Sequence, residues 1–137
     1  MKIYIVKIDD AECHIGEYYP QAAFTDKKMA RKYEICQTYM WGCGEILEVD
    51  IEATDKLWVV VSEEAYSSGA VDFRQAFATE EEAEAYAKEI NDDVNHEHTT
   101  LYNAEAYEVS IDKDLDGLDR KYEELCEEIG HRIIWEE

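Results

Sequence analysis

Three blocks of this chain occur twice, in the same order. "KIYIV" at 2–6 aligns with "KLWVV" at 56–60, "AFTDKKMARKY" at 23–33 with "AFATEEEAEAY" at 76–86, and "EILEVDIE" at 45–52 with "EAYEVSID" at 105–112. The offsets are 54, 53 and 60 residues, so the copies differ only by small changes in their connections. A module of roughly 55 residues is marginal as an independent folder, so two copies are expected to share one core. The expectation is a single domain over 1–137, with repeats at 1–55 and 56–113 and a C-terminal extension at 114–137.

Each copy reads as strand, strand, helix, strand. The first block is rich in β-branched and aromatic residues, as a strand should be. A turn-like stretch ("DDAE" or "EEAYSSG") leads to a second strand that ends in the shared "AF". Thr79 followed by Glu82 is a capping box that starts the second helix, and Asp26 is the matching cap of the first. Ala83, Tyr86, Ile90 and Val94 form one helical stripe, matched by Ala30, Tyr33, Gln37 and Met40. In the closing strand, Leu47, Val49 and Ile51 alternate with Ile46, Glu48, Asp50 and Glu52, giving one buried face and one acidic row. The fold class is therefore α+β. The duplicated module builds a largely antiparallel sheet with helices on one face, and the extension adds a helix ended by Gly130 and a short strand, "HRIIWEE".

Charge limits function more than any motif does. There are 34 acidic against 13 basic side chains among 137 residues, a formal net charge of -21, while 46% of residues are hydrophobic, the composition of a folded protein. The cations concentrate early, with four of them in "KKMARK". Self-repulsion of this size opposes compaction, and it disfavours direct binding to DNA or to anionic membranes. The natural partners are basic proteins or cations. No stretch is long enough for a transmembrane helix, and "MKIYIVKI" is too short for a signal-peptide core. Cys13, Cys36, Cys43 and Cys126 then read as reduced thiols in a cytoplasmic protein.

"IDKDLDGLDRKYEEL" at 111–125 admits two readings. Asp112, Asp114, Asp116 and Glu123 fall on the first, third, fifth and twelfth positions of a calcium-binding loop, with Gly117 at the tight turn and the Leu118 carbonyl at the seventh. Against calcium, Asp119 occupies a position usually aliphatic, Arg120 places a cation beside the ion, and the preceding element reads as a strand. In the other reading Leu115, Leu118, Tyr122, Leu125 and Ile129 form a helical stripe that begins inside the supposed loop. Asp114 is then the N-cap, with Asp116 and Asp119 favoured by the helix dipole. The helix start accounts for more of the residues, and calcium remains the alternative cofactor.

No convergent nucleophile, base and orienting group is visible, so the chain is expected not to be an enzyme. Cys13 and His14 are neighbours that point to opposite faces of an extended segment. His96 and His98 lack any CxxC partner spacing for zinc, and "WGCGE" at 41–45 has no lysine or following helix to cradle a phosphate. The acidic helix faces stand out instead: Glu80, Glu81, Glu84, Asp92 and Asp93 on the second helix, and Glu123, Glu124, Glu127 and Glu128 on the last. These nine are the expected partner-binding residues.

The "IYIV"-type strand, the "AF" leading into a capped helix with a central Ala and Tyr, and the "E..EV.I" closing strand together resemble small αβ proteins of phages and mobile elements. The resemblance covers about residues 2–112. In size and charge the chain is similar to the nucleic-acid mimics of that population, of the anti-CRISPR or anti-restriction type. It implies a non-enzymatic inhibitor whose carboxylates block a basic nucleic-acid-binding protein of host defence.

Overall fold

The computed structural model describes residues 1–9, 18–38, 44–53, 55–64, 71–97 and 102–130. Its elements are β1 (Lys2–Asp9), β2 (Tyr18–Phe24), α1 (Lys27–Thr38), β3 (Gly44–Asp50), β4 (Lys56–Glu64), β5 (Val71–Phe77), α2 (Glu80–Glu97), β6 (Tyr102–Ser110) and α3 (Leu115–Ile129). The expected strand, strand, helix, strand order occurs twice, followed by the C-terminal helix. The "HRIIWEE" segment lies outside the described residues.

All strand pairing within the sheets is antiparallel, and each copy builds its own three-stranded sheet, in the orders β2-β1-β3 and β5-β4-β6. The division into two sheets follows from the central strands, which are apolar on both faces. Ile3 and Ile5 project from one face of β1, and Val6 and Ile8 from the other, so both faces need cover. The first pair packs with Ala23 against Leu57, Val59, Val61 and Val109 of the other sheet, forming the core that the two copies share. On the outer face of the first sheet, Val6, Ile8 and Phe24 meet Ala30 of α1. On the outer face of the second, Val60 and Ala104 meet Ala83 and Ala87 of α2. The layers thus run α1, sheet, sheet, α2, and each sheet carries its helix on one face.

The repeat extends to irregularities. The pairing of β1 with β2 slips between Val6 and Lys7, and that of β4 with β5 slips between Val60 and Val61, positions 54 residues apart. Phe24 and Tyr33 meet as tilted rings 5.6 Å apart, and Phe77 and Tyr86 repeat the contact at 5.2 Å. The "AF" and the helical tyrosine that align in sequence therefore form the same joint between sheet and helix in both copies.

Where β6 ends, one parallel bridge between Ala23 and Ile111 joins the two sheets. The Asp112 amide donates to the Ala23 carbonyl at 2.9 Å, and the Asp112 carboxylate accepts from the Thr25 amide at 2.9 Å and the Thr25 hydroxyl at 2.6 Å. From this tie the chain enters α3, which lies against α1 through Ile35, Tyr122, Leu125 and Cys126.

Candidate acidic interface

Helix α2 starts at the expected capping box: the Glu82 amide donates to Thr79 Oγ1 at 3.3 Å, and Thr79 Oγ1 donates to the Glu82 carboxylate at 2.9 Å. The apolar stripe of Ala83, Tyr86, Ala87 and Ile90 turns into the sheet, which leaves Glu80, Glu81 and Glu84 exposed. A hydrogen bond with Glu84, one turn on, is the main reason the Glu80 carboxyl is raised above its usual 4.5; the charges of Glu84, Glu81 and Glu108 add to it. Carboxylates gathered this closely at an exposed site make the local potential negative. Glu108 comes from β6, so the crowding joins the helix to its sheet.

Of the other expected residues on α2, Asp92 accepts from the Lys88 ammonium at 2.8 Å and is partly neutralised. The pairing holds the Lys88 amine above its usual range. The Asp93 side chain lies outside the described residues. Glu123, Glu124, Glu127 and Glu128 are exposed on α3, as their stripe requires. The structure does not merge the two sets: α2 covers the second sheet, whereas α3 packs on α1 over the first.

Further carboxylates flank the start of α2. A groove between β3 and β5 has Asp50 and Glu52 on one wall and Glu82 on the other, with Arg74 between them donating to the buried Ser62 hydroxyl at 2.8 Å. An adjoining hollow has Glu52 and Asp55 beside Trp58. Lys56 stands over the Trp58 ring, 5.5 Å from its centre, and reaches Glu108 at 3.1 Å. An acidic arc therefore runs from the end of β3 through Asp55 to the first turn of α2 and Glu108, partly offset at its ends, where Asp50 and Glu52 hold the Met1 ammonium at 2.7 and 2.8 Å and Glu108 holds Lys56. The sequence signalled Asp50 and Glu52 as an acidic row, but only the face-to-face packing of the sheets places that row beside α2.

Of the two readings of 112–123, the helix start is the one that accounts for the geometry. Residues from Leu115 onward are helical, so Asp116, Gly117 and Glu123 sit on α3 instead of wrapping an ion. Asp112 is committed to Thr25. Asp114 caps α3, its carboxylate accepting from the Gly117 amide at 3.3 Å, and Gly117 makes that cap fit, since a Cβ there would stand 2.7 Å from Asp114 Cγ. The glycine that suggested an ion-binding turn is thus explained by the cap. Among the described residues no group of three or more His, Cys, Asp or Glu side chains could hold a metal ion.

Cys13, His14, Cys43 and His98 lie outside the described residues, as does the His96 side chain. Gly44 of the "WGCGE" turn opens β3. Cys126 is buried against α1, and the half-buried Cys36 thiol is raised chiefly by burial. No helix among the described residues is long and apolar enough to cross a membrane. The chain matches no protein-family model, no curated protein and no solved structure.

Proposed function

We propose that this protein is a non-enzymatic inhibitor that offers its acidic arc to a basic nucleic-acid-binding protein, as phage-type mimics of nucleic acid do. The crowding around Glu80 carries the reading. A fold that holds Glu80, Glu81 and Glu84 beside the Lys56-paired Glu108, with no cation paired to Glu80 among the described residues, opposes its own stability, and the resulting field suits a cationic channel. The charge density agrees. Helix α2 has eight acidic residues among 18, or about 27 Å of axis at about 1.5 Å per residue. That is one carboxylate per about 3.4 Å, the axial spacing of phosphates along one DNA strand.

The test is displacement. A fluorescently labelled duplex is bound to a purified basic DNA-binding protein, and its anisotropy is followed as the acidic protein is added. Release of the duplex at micromolar concentration, weakening steeply with salt, is the expected result. If no duplex is released from any of a panel of such proteins at low salt, the reading is wrong.

A further inference from the structure

The geometry points to a second binding site of opposite character: a cleft that takes a small organic anion with a flat apolar body. It lies between β2, α1, the end of β6 and the start of α3, and encloses about 310 Å³, the lower end of the range for small-molecule sites. Phe24, Tyr33 and Leu118 give it an apolar floor, while Gln37 and Ser110 supply polar groups at its margin. Two of its walls carry ammonium groups, Lys113 and Lys121, and among the described residues neither forms a hydrogen bond or ion pair. In a chain of net charge -21, Lys32, Lys56 and Lys88 each reach a carboxylate, whereas the cleft brings two unpaired amines to one place.

The two carboxylates on the same cleft are engaged. Glu108 pairs with Lys56, and Asp114 caps α3. The backbone around Lys113 is unusual as well. Asp112 and Asp114, on either side of it, both adopt left-handed conformations, at φ 51° and 52°. Aspartate tolerates that region at some cost, and such conformations persist where surrounding bonds over-determine them. Here the Thr25 bonds fix Asp112 and the Gly117 bond fixes Asp114, so Lys113 is held on the cleft wall by strain offset elsewhere. The copies differ at this place. Phe77 and Tyr86 repeat the ring pair of the floor, but among the described residues the second copy has no counterpart of α3 and so no lysine-bearing wall. At physiological salt the repulsion of more distant carboxylates is screened within about 8 Å, so the two amines act against the one carboxylate of the cleft that no cation pairs, Asp114.

The probe is 8-anilinonaphthalene-1-sulfonate, with the uncharged N-phenyl-1-naphthylamine as its control, titrated by fluorescence into the folded full chain. One saturable sulfonate site per chain is expected, with markedly weaker binding of the neutral compound. Lys113→Gln and Lys121→Gln, both at exposed positions, should each weaken sulfonate binding by about fivefold. Cys36 also lines the cleft, so the bound dye should slow its alkylation by N-ethylmaleimide, read by peptide mass. The proposal is overturned if the dye shows no saturable binding, if the neutral compound binds as tightly, if neither lysine matters, or if Cys36 reacts at an unchanged rate.

Discussion

Replacing Asp112 separates the structural reading of residues 111–125 from the calcium reading. In the structure this carboxylate accepts two hydrogen bonds from Thr25, and its residue stands at φ 51°. At a solvent-accessible site each bond contributes about 1 kcal/mol, and an alanine held in the left-handed region costs about 1 kcal/mol more. Asp112→Ala should therefore destabilise by about 3 kcal/mol, a fall in Tm of about 10 °C for a chain of this size. Asp112→Gly loses the bonds but not the conformational freedom, so it should lose about 2 kcal/mol by the same terms. Asp112→Asn keeps one acceptor and tolerates the conformation, and should lose about 1 kcal/mol. Urea unfolding in EGTA and in millimolar calcium measures all four proteins. The order wild type, Asn, Gly, Ala, independent of calcium, is expected. Thr25→Ala removes the hydroxyl bond but keeps the backbone donor and the conformational cost, so the double-mutant cycle should show a coupling of about 1 kcal/mol between Asp112→Ala and Thr25→Ala. Equal stability of the Gly and Ala variants would refute the strain argument. Additivity with Thr25→Ala would refute the tie, and a calcium-specific gain lost in Asp112→Asn would restore the ion-binding loop.

Three further outcomes follow from the packing and charge. Gly117→Ala forces a Cβ onto the Asp114 cap, so α3 should lose about 1 kcal/mol by urea unfolding despite the better helix propensity of alanine. Lys7 is only 4% exposed, and its nearest partner is the Glu45 carboxylate at 3.7 Å. The second copy has Val61 in its place, so Lys7→Met should be neutral or stabilising by about 1 kcal/mol in the same assay. Glu80 has a raised folded pKa, so its contribution to stability is present below its unfolded value of about 4.5 and is lost as pH rises through the folded value. Glu80→Gln should accordingly raise Tm at pH 7, with the gain shrinking as the pH is lowered to 4; a gain that does not depend on pH contradicts the carboxyl contact.

Residues that repeat were legible in the sequence because each performs the same local task twice. The Phe and Tyr of each copy meet across one strand end and one helix turn, and the Thr79 box and the Asp114 cap are set within four residues. What was not legible depends on packing between the copies. Ile3, Ile5 and Leu57, Val59 look the same in sequence whether they face helices or one another, so the two-sheet sandwich emerges only when both faces of β1 are seen covered. The acidic arc is hidden for the same reason. Glu52, Glu82 and Glu108 are far apart in the chain, and the helical periodicity that singled out Glu80, Glu81 and Glu84 says nothing of strands that pack alongside. The same periodicity singles out the α3 carboxylates, but the layer order places them over the other sheet.

That separation allows the central claim to be tested at constant net charge. One variant changes Glu80, Glu81, Glu84 and Asp92 to their amides, and another changes Glu123, Glu124, Glu127 and Glu128, each taking the chain from -21 to -17. The measurement is the concentration of each that releases half the labelled duplex from a basic DNA-binding protein that the wild type displaces. The account predicts that the α2 variant needs at least tenfold more protein while the α3 variant stays close to wild type. Equal weakening of the two would mean that net charge alone acts, and a loss confined to the α3 variant would place the interface on the opposite side of the molecule.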